Sequence, residues 1–354
     1  MHKKLFIPGP VEVPPSVLTA VATPMIGHRT KEYTDLHARV KLKLQQLLNT
    51  QHTVFLSTSS GTGLMEACVR NCVAQKSLHL VCGEFGERWY EIAKANGKDA
   101  DVLRVDLGKA VKPAMVRDVL ASGQYDAVAL THSETSTGVM NPLAEIGAVI
   151  KEFPDVVLMV DAVSSMGGAK IQVDEWGIDV CLASTQKGFG LPPGFAVCSV
   201  SDKALKKAAT IPHRGYYFDF LVLAESDAKN QTPTTPSLQH IFALDYQLSQ
   251  WLAQGLEQRY TNHMQMATRC RGWAKERGFA LLAEPGYEAV TLTTIDNTRG
   301  ISVTGLNDEL GKRGYMISAG YGKLKDKTFR IAHTGNTTLN ELNELLGVID
   351  DILN

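Results

Sequence analysis

Between residues 53 and 200, short apolar runs alternate with helical segments, and this alternation limits the fold more than any other feature. The predicted strands are 53–57, 78–82, 101–105, 127–131, 156–160, 180–183 and 196–199. The predicted helices between them include 64–74, 87–96, 114–121 and 143–152. Strands that are apolar on both faces and joined by helices are typical of a parallel sheet covered by helices. We therefore expect an α/β fold with a mainly parallel seven-stranded sheet, whose ligands bind outside the carboxyl ends of the strands.

The remainder of the chain predicts a second, smaller unit. A polar, proline-rich stretch at 227–236 precedes a long helix predicted from Leu238 to about Lys275. Beyond it, strands are predicted near 289–294 and 328–332, and helices near 304–313 and 340–352. We divide the chain into an N-terminal arm (1–16), a large domain (17–255) and a small C-terminal α/β domain (256–354).

Composition excludes several functional classes. The chain has 354 residues and a formal net charge of −1, so neither nucleic acid nor an anionic membrane is a favoured partner. The apolar runs are too short for a membrane span, and residues 1–10 do not resemble a signal peptide. The six cysteines form no C-x-x-C pair, which favours reduced thiols and no metal site. These patterns predict a cytoplasmic protein.

Asp161 and Lys187 are the strongest candidates for chemistry. Asp161 closes the apolar run 156–160, and Lys187 lies in the small-residue loop 184–188. Separately, they are explained as a helix cap and a solvated loop lysine. Together they meet the needs of pyridoxal-phosphate chemistry, in which a lysine forms a Schiff base and an acid keeps the pyridine nitrogen protonated. The small and apolar neighbours of Lys187 would desolvate its ammonium and lower its pKa, as that chemistry requires.

Residues 57–63, Ser-Thr-Ser-Ser-Gly-Thr-Gly, follow a predicted strand and open a predicted helix. Backbone N–H groups at a helix N-terminus, together with hydroxyls and glycines, can bind a phosphate. A helix cap alone needs a single Ser or Thr, so this composition favours an anion site. Neither a P-loop nor a dinucleotide fingerprint is present, and a nucleotide-dependent function is therefore not supported.

The order of these motifs resembles that of the class V aminotransferases. The segments that carry the resemblance are Ser60-Gly61-Thr62, Glu134-Thr135-Ser136-Thr137-Gly138, Asp161-Ala162-Val163-Ser164-Ser165, Ser184-Thr185-Gln186-Lys187 and Phe329-Arg330-Ile331-Ala332-His333. They look closest to the alanine–glyoxylate and serine–pyruvate aminotransferase branch. The resemblance implies a fold-type I enzyme with pyridoxal 5'-phosphate in the large domain. It also implies a homodimer with active sites at the subunit interface.

The resemblance assigns the cofactor contacts residue by residue. Lys187 would carry the Schiff base and Asp161 would contact the pyridine nitrogen. Phe85 would stack on the ring, and Thr135 would lie near the phenolic oxygen. The phosphate contacts would come from Ser60, Gly61, Thr62 and Gln186.

A further phosphate contact would cross the subunit interface. Thr234 would reach the phosphate in the neighbouring subunit. Gln231 stands where the family often has a tyrosine for this contact.

On the substrate side, Arg330 matches the arginine that binds the substrate carboxylate. A bidentate arginine holds a carboxylate in one plane, as the geometry of amino transfer requires. His28 and Arg29 resemble the pair that phosphoserine aminotransferases use on the substrate phosphate, but a structural turn explains them equally well. His333 is a further candidate for substrate binding.

These assignments predict a ping-pong aminotransferase with aldimine and pyridoxamine forms. It would transfer the amino group of a small L-amino acid, alanine or serine, to a 2-oxo acid, glyoxylate or pyruvate. The alternative is phosphoserine with 2-oxoglutarate. A cysteine desulfurase-like lyase would need a mobile-loop cysteine and usually a ring-stacking histidine, where this chain has Phe85. A non-catalytic hydrogenase subunit is less consistent with an intact set of Lys187, Asp161 and Arg330.

Overall fold

A computed structural model describes residues 2–353. The strands in this range are β1 (Lys4–Phe6), β2 (Thr53–Ser57), β3 (Lys76–Val81), β4 (Asp99–Arg104), β5 (Ala127–Thr131), β6 (Ser133–Glu134), β7 (Val139–Met140), β8 (Val157–Asp161), β9 (Val180–Ser184), β10 (Ala196–Val200), β11 (Ala280–Leu281), β12 (Leu292–Asp296), β13 (Tyr315–Ala319) and β14 (Thr328–Ala332).

The α-helices in the same range are α1 (Pro15–Val21), α2 (Lys31–Leu48), α3 (Gly61–Cys72), α4 (Glu84–Ala95), α5 (Pro113–Leu120), α6 (Leu143–Ile150), α7 (Val173–Trp176), α8 (Asp202–Ala209), α9 (Phe220–Asp227), α10 (Leu238–Gln254), α11 (Leu256–Glu276), α12 (Val303–Lys312) and α13 (Leu339–Leu353). A short 3₁₀ turn covers Gly322–Leu324. No helix within residues 2–353 is long and apolar enough to cross a membrane.

The large sheet has seven strands in the order β2-β10-β9-β8-β5-β3-β4. Strand β10 runs antiparallel to both of its neighbours, and the other neighbouring pairs are parallel. The predicted mainly parallel seven-stranded sheet is therefore confirmed. Each of its strands begins within two residues of the predicted position.

Strand β8 shows how this sheet is buried on both sides. Because side chains alternate along a strand, Leu158 and Val160 enter one core, which helices α2, α6 and α10 cover. Val157 and Met159 enter the opposite core, which includes side chains of α3, α4 and α8. All four side chains are fully buried, and each contributes roughly 1.5–3 kcal/mol of hydrophobic stabilisation.

The second sheet has the order β1-β13-β14-β12-β11. Its strand β1 comes from the N-terminal segment and pairs in parallel with β13, at the other end of the chain. Helices α11, α12 and α13 contribute to the apolar core of this sheet. The domain boundaries drawn at 16/17 and 255/256 stay predictions, and Met1 and Asn354 lie outside the described residues.

The prediction of a single long helix from Leu238 to about Lys275 is wrong in one respect. The segment forms two helices, α10 and α11, separated at Gly255. Gly255 has a φ of 89°, a left-handed conformation that glycine adopts more readily than other residues. The apolar pattern continues across the break, so it does not reveal the change in direction.

Candidate active site

Asp161 and Lys187 lie at the same edge of the large sheet. Asp161 is the last residue of β8, and Lys187 follows the adjacent parallel strand β9 by three residues. Both line a cavity at the carboxyl ends of the strands, as expected for this fold class. Its lining includes eight residues that the sequence singled out: Ser60, Gly61, Thr62, Phe85, Thr135, Asp161, Gln186 and Lys187.

Lys187 is only 8% exposed. Its Nζ donates hydrogen bonds to Ser164 Oγ at 2.9 Å and to Thr135 Oγ1 at 3.2 Å. The two hydroxyls are also hydrogen-bonded to each other. Burial lowers the pKa of the Lys187 ammonium to about 8, while the negative charge of Asp161 opposes that shift. About a tenth of Lys187 is therefore the neutral, nucleophilic amine at pH 7, far more than for a lysine with its usual pKa.

Asp161 is buried, and its Oδ1 accepts a hydrogen bond from the backbone N–H of Val163 at 2.8 Å. Burial raises the pKa of this carboxyl to about 6, against the opposing effects of the Val163 N–H and the Lys187 charge. At neutral pH Asp161 is therefore mostly an anion, able to attract a protonated ring nitrogen.

The opposite end of the cavity can bind an anion. Helix α3 begins at Gly61, and the Ser60 hydroxyl caps it by accepting from the Gly63 N–H. A Cβ on Gly61 would lie 2.8 Å from a methyl group of Val163, so a larger residue here would force the Val163 side chain to move. The buried hydroxyl of Ser184, another lining residue, has no hydrogen-bond partner within residues 2–353.

Glu134 holds the backbone at the N-terminus of α4, which carries Phe85. This fully buried carboxylate accepts from the backbone N–H groups of Phe85 and Gly86, each at 3.1 Å. It also accepts from the N–H and the hydroxyl of Ser136, at 3.0 and 2.6 Å. Glu134 stands in one of the segments that carry the family resemblance, but no role was predicted for it. Its role depends on a contact between segments that are distant in the sequence.

Arg330 lies on β14 and is largely buried. Its guanidinium donates to the carbonyl oxygens of Ala319 and Thr135, both at 3.1 Å. Burial lowers the pKa of this arginine from its usual range. Because Thr135 also contacts Lys187, Arg330 is joined to the cavity through one shared residue.

The N-terminal segment covers the Lys187 loop. Val11 N–H donates to the carbonyl oxygen of Gln186 at 3.0 Å, and Pro8 lies beside Lys187. Gly9 has a φ of 142°, and a Cβ there would lie 3.0 Å from Lys187 Cγ. The sequence Pro8-Gly9-Pro10 therefore places a glycine where the chain passes closest to the lysine.

Four further candidates do not line the cavity with Lys187 in this chain. Arg29 donates to the carbonyl oxygens of Thr232 at 2.6 Å and Pro233 at 3.1 Å. The adjacent residue His28 is half-buried. Thr234 lines a separate cavity beside the loop that precedes α3.

His333, the fourth candidate outside the Lys187 cavity, is fully buried. Its Nε2 lies 3.0 Å from Thr293 Oγ1, and burial lowers its pKa to about 3. The structure thus holds His333 as a neutral imidazole within the protein interior.

A family model for class-V aminotransferases matches residues 16–324. The chain belongs to the class-V aminotransferase family. This class-V aminotransferase is 38% identical to an uncharacterised aminotransferase of Methanocaldococcus jannaschii, over 95% of this chain and 88% of that protein. It is 35% identical to the small subunit of a soluble hydrogenase from Synechococcus, over 94% of this chain and 88% of that one.

Two further relatives bear on the reaction. The serine–glyoxylate aminotransferase of Methylorubrum extorquens is 32% identical, over 98% of this chain and 89% of the relative. The solved structure of an alanine–glyoxylate aminotransferase from Nostoc has a TM-score of 0.95 and 26% identity, over 100% of this chain and 96% of the other. The predicted branch and the predicted fold type I are thereby confirmed, and the protein is a transaminase.

Enzymes of this family use pyridoxal phosphate, and the cavity fits that group. It combines a buried lysine with a lowered pKa, a carboxylate at the end of the neighbouring strand and a helix N-terminus beside an unpartnered hydroxyl. These features match an aldehyde, a pyridine nitrogen and a phosphate, respectively.

Proposed function

We propose that this aminotransferase binds pyridoxal 5'-phosphate through Lys187 and transfers the amino group of alanine or serine to glyoxylate or pyruvate. The observation that carries the proposal is the Lys187 amine. It lies in one cavity with Asp161 and the α3 N-terminus, and it has a pKa of about 8. The bound cofactor would supply an electron sink for the substrate α-carbon.

The cofactor would be held along its length. Asp161 would face the pyridine nitrogen, Phe85 would pack on the ring, and Thr135 would lie near the phenolic oxygen. Ser60, Gly61, Thr62 and Gln186 would bind the phosphate. The hydrogen bonds of Glu134 to the α4 N-terminus support this arrangement, because they hold the backbone of Phe85.

Lys187 would also move the proton of the substrate α-carbon. Its lowered pKa allows the amine to accept a proton and to return it near neutral pH. The hydroxyls of Ser164 and Thr135 accept from its Nζ and would orient it during this transfer. Arg330 would bind the substrate carboxylate through the part of its guanidinium that is not engaged by Ala319 and Thr135.

The choice of alanine or serine rests on the relatives. The named serine–glyoxylate and alanine–glyoxylate aminotransferases align over nearly the whole chain. The phosphoserine alternative has less support, because Arg29 is already engaged by backbone carbonyl oxygens of its own chain.

The proposal includes a homodimer in the cytoplasm. Thr234 does not line the Lys187 cavity of its own chain, which is compatible with a contact to the partner's cofactor. Cytoplasmic residence is supported by the six cysteines, which are buried and free.

A panel of amino donors tests the function. The holoenzyme is mixed separately with L-alanine, L-serine, L-glutamate and O-phospho-L-serine, and the change in cofactor absorbance is followed. Alanine or serine should react with the highest kcat/KM, and R330Q should lower that value roughly 100-fold because it removes the charged partner of the carboxylate. R313Q is a matched control, because Arg313 lies at the end of α12 and faces Asp351 at 3.7 Å.

Other outcomes would overturn the proposal. Fastest reaction with phosphoserine would establish the alternative substrate. If the purified protein binds no pyridoxal phosphate, or binds it and reacts with none of the four donors, a non-catalytic role becomes the better account.

A further inference from the structure

Arg88 lines the cavity that contains Lys187. It follows Phe85 by one turn of α4, so the two side chains share a helix face. The centre of its guanidinium is 4.8 Å from the centre of the Phe85 ring. Its Nη2 donates a hydrogen bond to the hydroxyl of Tyr321 at 3.3 Å.

The charge of Arg88 opposes the rise that burial causes in the pKa of Asp161, but no carboxylate in the described part of the chain pairs with Arg88 directly. Within residues 2–353 Arg88 has no carboxylate partner, whereas the adjacent Glu87 pairs with Arg104 at 2.7 Å. A guanidinium has five N–H donors, and the Tyr321 hydroxyl accepts from only one group of Arg88. A partly desolvated cation with free donors favours an anionic ligand that can accept two hydrogen bonds.

Tyr321 connects Arg88 with Arg330. Its ring stacks on Phe85, with centres 5.9 Å apart and an angle of 24° between the planes. The guanidinium of Arg330 is 5.6 Å from the same Tyr321 ring. The stacked rings of Phe85 and Tyr321 therefore lie between two guanidinium groups, Arg88 beside Phe85 and Arg330 beside Tyr321. Like Arg88, Arg330 has no carboxylate partner among the described residues.

We propose that Arg88 and the Tyr321 hydroxyl form a second anion subsite, which binds the distal carboxylate of a short dicarboxylic amino acid or 2-oxo acid. Arg330 binds the α-carboxylate of the same molecule. This assignment rests on the proposed function, because it concerns the far end of the same substrate, and it extends the substrates to four- and five-carbon dicarboxylates. The planar fork of arginine suits a carboxylate better than the single hydroxyl it now contacts.

The test compares two unreactive acids that differ in the distal carboxylate. Binding of succinate and of propionate to the holoenzyme is measured by titration calorimetry. We expect succinate to bind at least about tenfold more tightly, and R88Q to abolish that preference while leaving propionate affinity unchanged. Y321F, which keeps the ring and removes the hydroxyl, should reduce the preference only in part. R104Q, which changes an exposed arginine paired with Glu87, should preserve it.

A kinetic comparison gives a second readout. R88Q should lower kcat/KM for L-aspartate at least about tenfold, mainly through KM, and should change the value for L-alanine less than about threefold.

Several results would overturn the subsite. These are equal binding of succinate and propionate by the unaltered enzyme, an equal loss for both acids in R88Q, or weaker pyridoxal-phosphate binding in R88Q with the succinate preference intact. Failure of the proposed function is a separate result, because it would appear as the absence of amino transfer from alanine and serine. The binding preference for succinate needs no turnover.

Discussion

The ammonium of Lys187 donates to the hydroxyl of Ser164 at 2.9 Å, three residues beyond Asp161. This contact stabilises the charged form of the lysine, while burial favours the neutral amine and brings the pKa to about 8. We expect the rate at which cofactor-free protein takes up pyridoxal phosphate to rise with pH through a midpoint near 8. S164A should move that midpoint to lower pH, because the ammonium loses a hydrogen-bond acceptor.

Stopped-flow reconstitution between about pH 6.5 and 9.5 measures this midpoint, a range that brackets the pKa of Lys187. S165A is the matched control, because the Ser165 hydroxyl contacts His132 at 2.9 Å and not Lys187. The absence of a midpoint within this range, or a shift to higher pH in S164A, would contradict the assignment.

Asp161 should make the cofactor-free protein less stable at neutral pH. Its pKa is about 6 in the folded protein and near 3.9 in an unfolded chain, so folding favours the protonated acid. The resulting cost is absent below about pH 4, develops as the pH rises, and is complete above about pH 6. D161N should therefore raise the free energy of unfolding of the cofactor-free protein at pH 7.5 by about 1–3 kcal/mol, and the gain should shrink as the pH is lowered towards 4.5.

Urea unfolding across this pH range tests the linkage. D126N is the control, because the Asp126 carboxylate accepts from the backbone N–H groups of residues 74–76 and pairs with Lys207 at 2.8 Å. At pH 7.5, D126N should lower the free energy of unfolding, whereas D161N should raise it. Destabilisation by D161N at pH 7.5 would show that the ionised acid is well accommodated without the cofactor.

The adjacency of Asp161 and Lys187 could be predicted because it follows from local patterns. Two apolar runs predicted strands β8 and β9, which are parallel neighbours in the sheet. Residues at the carboxyl ends of parallel strands lie at the same sheet edge. The helix after the run of hydroxyls and glycines was likewise predicted, although it begins at Gly61 and not at residue 64.

Contacts between distant segments were not predictable in this way. The pairing of β1 with β13 joins the two ends of the chain, and no local pattern encodes it. Helix α2 was also not predicted, although its 18 residues pack against α10. The link from Arg88 to Tyr321 spans more than two hundred residues and depends on how the two sheets are placed.

Glu134 should be important for stability and for the position of Phe85. E134A would leave three backbone N–H groups, those of Phe85, Gly86 and Ser136, without an acceptor, and the last two are buried. We expect a loss of about 3–5 kcal/mol in the free energy of unfolding, because each buried unpaired donor is costly. E134Q, which keeps one acceptor oxygen, should lose less.

Chemical denaturation of both variants measures these losses. The cofactor absorbance of the loaded protein reports on the position of Phe85 against the cofactor ring. An unfolding free energy for E134A within about 1 kcal/mol of the unaltered protein would contradict the role given to Glu134.

Gly9 should affect the lysine loop more than overall stability. In G9A the new methyl group would meet Lys187 Cγ at 3.0 Å and the Gln186 carbonyl oxygen at 3.2 Å, at a backbone conformation unfavourable for alanine. We expect cofactor affinity to fall at least about tenfold, because the loop must move to accommodate the methyl group.

G123A distinguishes the effect of backbone strain from the effect of contact with the Lys187 loop. Gly123 has a φ of 70° and open space around its Cβ position. Its substitution should cost about 1 kcal/mol of stability and leave cofactor affinity unchanged. Equal effects of the two variants on cofactor binding, measured by equilibrium titration, would refute the specific role of Gly9.

Chemical trapping tests whether Lys187 carries the cofactor. The holoenzyme is treated with sodium borohydride, digested and analysed by mass spectrometry for a phosphopyridoxyl group. We expect that group on the peptide containing Lys187, and we expect it to be absent from K187A treated in the same way. A label on another lysine, or no label at full cofactor loading, would contradict the assignment of the cofactor to Lys187.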